Sequence, residues 1–153
     1  MKKIVIMRGM PGSGKSHYVA ENYPDAYVCS ADNFFERLAL KEGKTYLEVF
    51  DPRMLSRAHA ECLHEFTMAL ASNEPVVVVD NTNTQQWEYM NYVAIATALA
   101  DYELEIIEVI CPHDSYLEKY HARNTHGVPW VVMQDMFNRY EEDARTRRVD
   151  PYF

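Results

Sequence analysis

The chain of 153 residues is 48% apolar and 25% charged, with 15 basic against 23 acidic residues and a formal net charge of −8. That length suits one domain spanning 1–153 with a substantial core, and no run nears the roughly 18 apolar residues that a membrane span needs. The acidity argues against a broad, non-specific binder of duplex nucleic acid, which is ordinarily basic, yet leaves room for a small basic site that takes a strand end.

The chain opens with "KKIVIM" at 2–7, a short apolar run that predicts a buried parallel strand. Two lysines before an apolar stretch imitate a leader, but the stretch stops at Arg8 and is too short for one. Cys29, Cys62 and Cys111 are scattered and lack metal-site spacing, so they read as reduced, mostly buried thiols. A cytoplasmic location is expected. A helix is predicted from about Gly14 to Asn22, ahead of Pro24. A second strand follows over 26–32, then helical spacing over 33–41. Residues 42–50 contain Gly43 and lack periodicity, so a loop is expected there. Asp51 and Pro52 mark a helix start, with Met54, Leu55, Ala58, Cys62, Leu63, Phe66 and Leu70 on one face up to about Ser72. Arg57 and Glu61, four apart on another face, are placed to pair. "EPVVVVD" at 74–80 is the third strand. The helix predicted over 84–100 carries Trp87, Met90, Val93 or Ala94, and Ala98 on one side. "LEIIEVICP" at 104–112 is the fourth strand, helices follow at 114–123 and 130–146, and the tail "RRVDPYF" has no clear pattern. This alternation implies right-handed crossovers and an α/β fold of three layers. A mostly parallel sheet of four to five strands lies between helices on both faces.

Residues 9–16, "GMPGSGKS", match G-x-x-x-x-G-K-[ST] between a strand and a helix. Glycines let backbone amides converge on phosphate oxygens. Lys15 is then placed to reach β- and γ-phosphates, and the Ser16 hydroxyl to ligate Mg²⁺. Asp80 ends the valine run at the carboxyl edge of the sheet, where ligands bind; it is either a partner of Mg²⁺ or a cap for the next helix. Asn81, Thr82 and Asn83 either line an acceptor site or form a turn. Asp32 lies on the same edge and is the candidate base for an acceptor hydroxyl, with helix capping as the alternative. His121, Arg123 and His126 precede Gly127 and Pro129, the make-up of a short lid whose Arg123 folds over a triphosphate; the alternative is a set of cations at a helix C-terminus. His113, His121 and His126 are too irregularly spaced for a zinc site. Trp130, Phe34 and Phe35 stack on a base or belong to the core. Arg139 points at the nucleotide or pairs with Glu142 or Asp143, and the pairing is favoured.

"GMPGSGKS", "SAD", "VVVDNTNT", "RNTHGVP" and "MFNRYEE", in this order and over roughly 1–145, resemble the P-loop kinase family of the phage-type 5′-hydroxyl polynucleotide kinases. The resemblance extends to the ATP-binding domains related to NEDD4-binding proteins. It implies transfer of the γ-phosphate of ATP, with Mg²⁺, to a hydroxyl acceptor, most often a nucleic-acid 5′ end. A modified base in DNA, a nucleoside or a small metabolite is the alternative acceptor, and a non-catalytic ATP-binding switch the alternative function. Carried over by position, the resemblance implies Lys15, Asp32 and Arg123 as catalytic residues. Gly12, Ser13, Gly14, Lys15, Ser16, His17, Arg123 and Val128 become nucleotide contacts, and Ser16 and Asp80 metal residues. The phage enzymes carry a second acid after the base and an arginine three positions on from the base. Those places hold Asn33 and Phe35 here, which leaves Arg37 as the candidate substitute. His126 stands where a second lid cation is expected.

Overall fold

The computed structural model describes residues 1–152. Five strands, β1 (Lys2–Arg8), β2 (Tyr27–Cys29), β3 (Val76–Asp80), β4 (Tyr102–Val109) and β5 (Thr146–Val149), form one all-parallel sheet in the order β2-β3-β1-β4-β5. Period-two alternation divides β1 between two faces. Ile4 and Ile6 face Cys62, Phe66 and Ala69 of α4 (Leu55–Ala71) and Tyr89, Tyr92, Val93 and Ala96 of α5 (Gln86–Ala98). Val5 and Met7 face Val19 of α1 (Lys15–Asn22). This is the three-layer arrangement expected. The chain passes from β1 to β2 on one side and later from β3 across β1 to β4 on the other, and at such a reversal a crevice opens above the carboxyl end of β1.

Two further groups sit over that edge. One is α2 (Asp32–Glu42) with α3 (Tyr46–Val49), whose Phe34, Phe35, Ala39 and Val49 pack with Ala58 of α4. The other is α6 (Asp114–Arg123) with α7 (Trp130–Arg139), packed around Met10, Leu117, Tyr120 and Met133.

Several expectations need correction. Residues 42–50 are not all loop: Thr45 and Glu48 form a reciprocal capping box that starts α3. The Asp51 side chain caps a single 3-10 turn, Pro52–Met54, and α4 proper begins at Leu55. The last helix stops at Arg139, and part of the patternless tail is β5, paired with β4 from Ile106↔Thr146 to Val109↔Val149. Phe153 of that tail lies outside the described residues. Most of the predicted side of α5 faces outward, with Trp87 and Met90 exposed: of that side Val93 is buried, and Tyr89, Tyr92 and Ala96 fill the core beside it. Arg57 lies over the Phe34 ring, and Glu61 pairs with Arg37. Among the described residues no helix is long and apolar enough to cross a membrane.

Candidate active site

The loop from Gly9 to Gly14 is pinned from both ends. Arg8 is fully buried between the rings of Tyr89 and Tyr140, at 4.9 Å from each, and donates to the carbonyls of Asn83, Thr84 and Glu141. Met10 is buried against α6 and α7. Gly12 has φ 79°, and a Cβ there would stand 2.1 Å from the Tyr120 carbonyl oxygen. No L side chain fits at that approach, which explains a glycine in physical terms. Ser13 is fully buried, and its Oγ lacks a hydrogen-bond partner among the described residues. Buried hydroxyls are ordinarily satisfied. An orphaned one beside the free amides that open α1 is what a bound phosphate completes.

Lys15 donates to the Met10 carbonyl at 3.2 Å. Burial pushes its ammonium below the ordinary lysine range, against the opposing pull of Asp80 and Asp32. A cation held partly desolvated between two carboxylates is suited to a polyanionic ligand. The Ser16 hydroxyl donates to Asp80 Oδ2 at 2.8 Å. That hydroxyl–carboxylate pair is hard-oxygen chemistry that fits Mg²⁺. Asp80 does not cap the next helix, since α5 begins with a capping box of Gln85 and Glu88.

Asp32 stands across the crevice as the first residue of α2. It is not the helix cap: Ala31 occupies that place without a side-chain cap bond. Its carboxylate instead accepts from the Tyr46 hydroxyl at 2.6 Å and lies 3.4 Å from His126 Nδ1. Asn81 and Asn83 hold backbone rather than line an acceptor site. Asn81 Oδ1 accepts from the Ala31 amide at 2.9 Å, fixing the start of α2, and Asn83 donates to the Met7 carbonyl at 2.8 Å. Arg37 is turned away: Glu61 and Glu65 of α4 hold its guanidinium at 3.2 and 2.8 Å. Its charge is thus already paired on α4.

The lid is short. α6 ends at Arg123, whose guanidinium donates to the carbonyls of Gly12 and Tyr152, so it already lies against the P-loop. Asn124 bridges the following turn by accepting from the Val128 amide and donating to the His121 carbonyl. Val128 packs with Trp130 on the Met10 cluster. Phe34 and Phe35 are core residues, unavailable for stacking on a base. His17 stacks under Tyr152 with 3.7 Å between ring centroids. The two rings wall a cavity of about 200 Å³ next to Gly14, bounded also by Tyr18, Glu21, Val109 and Pro151. Asp143, one of the two partners expected for Arg139, is taken by Arg145. Tyr46, Glu36, the position of His126 and Tyr152 are additions that the structure alone makes. For Tyr46 a signal exists in the sequence, the T-x-x-E of its capping box.

The AAA domain family matches residues 4–143. Human NEDD4-binding protein 2 is 28% identical over 141 residues, 90% of this chain, which spans 8% of that protein's length. A gluconokinase from Sinorhizobium meliloti 1021 superposes with a TM-score of 0.59 at 23% identity, over 98% of this chain and 82% of that one. A chain of the Pnkp1/Rnl/Hen1 RNA repair complex superposes with a TM-score of 0.61 at 15% identity, over 90% of this chain and 43% of that one. The fold and the P-loop agree with these likenesses, and the chain belongs to the AAA domain family, in its P-loop, kinase-like form.

Proposed function

We propose that this chain transfers the γ-phosphoryl group of ATP to a hydroxyl, with Asp32 as general base. The observation that supports this most directly is the placement of Lys15, within electrostatic reach of both Asp80 and Asp32. One carboxylate is paired with the P-loop hydroxyl, and the other stands across the crevice. The P-loop amides and Ser13 cradle the phosphates, Lys15 neutralises them and Arg123 covers them from the lid. Ser16 and Asp80 would hold Mg²⁺, which when bound offsets charge on the β- and γ-oxygens. The acceptor O–H gives its proton to Asp32 as its oxygen bonds to the γ-phosphorus. The bond from that phosphorus to the bridging oxygen breaks, and ADP departs with that electron pair.

The acceptor is best read as a small, polyhydroxylic molecule. A nucleic-acid 5′ end brings phosphates next to the reacting hydroxyl, and these need cations. Here Arg37 is held by two glutamates, and Glu36 stands beside Asp32 across the His126 ring. The similarity to a chain of an RNA repair complex supports the second reading, a 5′-OH strand end. Labelled ATP with gluconate, thymidine, uridine, and 5′-OH DNA and RNA oligonucleotides separates the two. Faster transfer to an oligonucleotide than to any small acceptor reverses the preference. No transfer to any of them, together with residual ATP hydrolysis that is indifferent to Asp32→Asn, sinks the phosphotransferase reading.

A further inference from the structure

The two oxygens of Asp32 face different elements. Oδ1 accepts the 2.6 Å hydrogen bond from Tyr46, while Oδ2 lies 3.4 Å from Nδ1 of His126 in the lid loop. The other ring nitrogen of His126 is 3.4 Å from Glu36 Oε1, and its ring lies on that of Tyr46 at 4.2 Å between centroids. A helix of four residues has almost no stability of its own, so α3 must be held by its surroundings. The Thr45–Glu48 box closes its start, and Val49 is buried beside Phe34 and Phe35. The Tyr46 ring is clamped by Phe35 at 5.7 Å and Phe50 at 5.8 Å. These contacts fix the phenol ring and leave its hydroxyl to Asp32. Burial, and then the bond to Asp32, hold that hydroxyl above the ordinary phenol range, so it stays a donor.

We propose that Tyr46 is the positioning residue for the base. It fixes Oδ1 so that Oδ2 receives the acceptor's proton, and His126 occupies Oδ2 until an acceptor hydroxyl displaces it. The proposal rests on reading Asp32 as the base. An uncharged donor is well suited to this role, because it locks the carboxylate rotamer without the strong loss of basicity that a paired cation imposes. Asp32 is 44% exposed at its side chain, so Oδ2 remains reachable from the crevice. The charged and titratable groups facing it are Lys15 from α1, Glu36 from α2, Tyr46 from α3 and His126 from the lid.

Tyr46→Phe removes one O–H and keeps the ring stack. In protein labelled with ¹³C at the aspartate carboxyls, the Asp32 signal is the one lost in Asp32→Asn. Its carboxyl chemical shift is expected to move in Tyr46→Phe, which removes the O–H donated to Oδ1. With magnesium ATP and whichever panel acceptor is used best, kcat should fall roughly 5–30-fold at unchanged KM for ATP. That loss should vanish in an Asp32→Asn background. His126→Gln should lower the KM for the acceptor about two- to fivefold, because Oδ2 is no longer occupied. An unmoved Asp32 carboxyl signal overturns the proposal, as does a rate loss that persists without Asp32, which would make Tyr46 merely structural. A raised acceptor KM in His126→Gln overturns the displacement step. If the wild type phosphorylates nothing in the panel, the kinase reading fails separately. The carboxyl spectrum needs no acceptor and still decides whether Tyr46 holds Asp32.

Discussion

Replacing Lys15 by methionine keeps most of the aliphatic stem and deletes the charge, and the structure predicts opposite effects with and without ligand. Without ligand, burial lowers the ammonium's pKa, so the folded chain holds a charge that it disfavours. The sign follows: the cost is present in full below the folded-state value and disappears as pH rises past the ordinary value of 10.5. Lys15→Met should therefore melt at the same or a higher temperature near pH 7, and the gap should close toward pH 11. With ligand the order reverses. Magnesium ATP at a hundred times its Kd stabilises the wild type by about 2.7 kcal/mol, or about 5–11 °C in a chain of this size. A charge-assisted bond to phosphate contributes about 1.5–3 kcal/mol, so its loss weakens binding roughly 10–150-fold. The same ATP concentration then stabilises the variant by only about 0.3–1.4 kcal/mol. Differential scanning fluorimetry of both proteins, with and without ATP, reads the four melting temperatures at pH 7 and again at pH 10.5. Equal ATP shifts in the two proteins would refute the placement of the triphosphate on Lys15.

Two predictions concern the frame that carries the loop. Asp143 is almost fully buried, and Arg145 first, with the Arg145 amide and Tyr89, holds its carboxyl far below the usual carboxylate range. A depressed carboxylate stabilises the fold above the unfolded value of 3.8 and loses that contribution as pH falls. Asp143→Asn should cost about 2–4 kcal/mol in urea unfolding at pH 7 and flatten the acid dependence between pH 4 and 2; an unchanged acid limb would refute it. Arg8→Met leaves three backbone carbonyls and Glu108 without their cation and should cost about 3–5 kcal/mol. A loss under about 1 kcal/mol would show that the carbonyls find water instead.

The parts of the fold legible in the sequence are those in which residue type and backbone geometry coincide. β1 and β3 are apolar runs ending at a glycine and an aspartate, and the glycines of the P-loop are required by approaches as close as that of Gly12 to Tyr120. β5 is not legible because it is an edge strand with charged residues at its centre. Arg147 and Arg148 point to solvent and pair with Glu105 and Glu108, so it reads as a charged tail, which is how edges avoid unwanted pairing. The buried face of α5 is hidden because tyrosines stand where aliphatic residues are expected: Tyr89 is buried with its hydroxyl on Asp143, and Tyr92 lies over Phe66. With Trp87 and Met90 outside, that helix is apolar all round, and periodicity alone cannot choose a side.

The same contrast explains why the donor half of the candidate site can be read and the acceptor half cannot. Phosphate binding uses main-chain amides of one contiguous loop, so its signature is local. The surroundings of Asp32 come from four separate places: Glu36 one turn along α2, Tyr46 on a four-residue helix, His126 in the lid, and Asn81 beneath Ala31. None of these types is unusual where it stands, and only the packing of α3 and the lid onto α2 makes them neighbours. Such a shell can change its acceptor without touching the P-loop. A free guanidinium on α2 would suit a phosphate-bearing acceptor, and Glu61 and Glu65 withhold Arg37 from that use. The proposed preference for a small acceptor therefore rests on α4, away from the reacting atoms. Replacing both glutamates by glutamine should release Arg37 and raise transfer to a 5′-OH oligonucleotide relative to gluconate, an outcome that the labelled-ATP panel reads directly. An unchanged ratio would locate the discrimination elsewhere in the crevice.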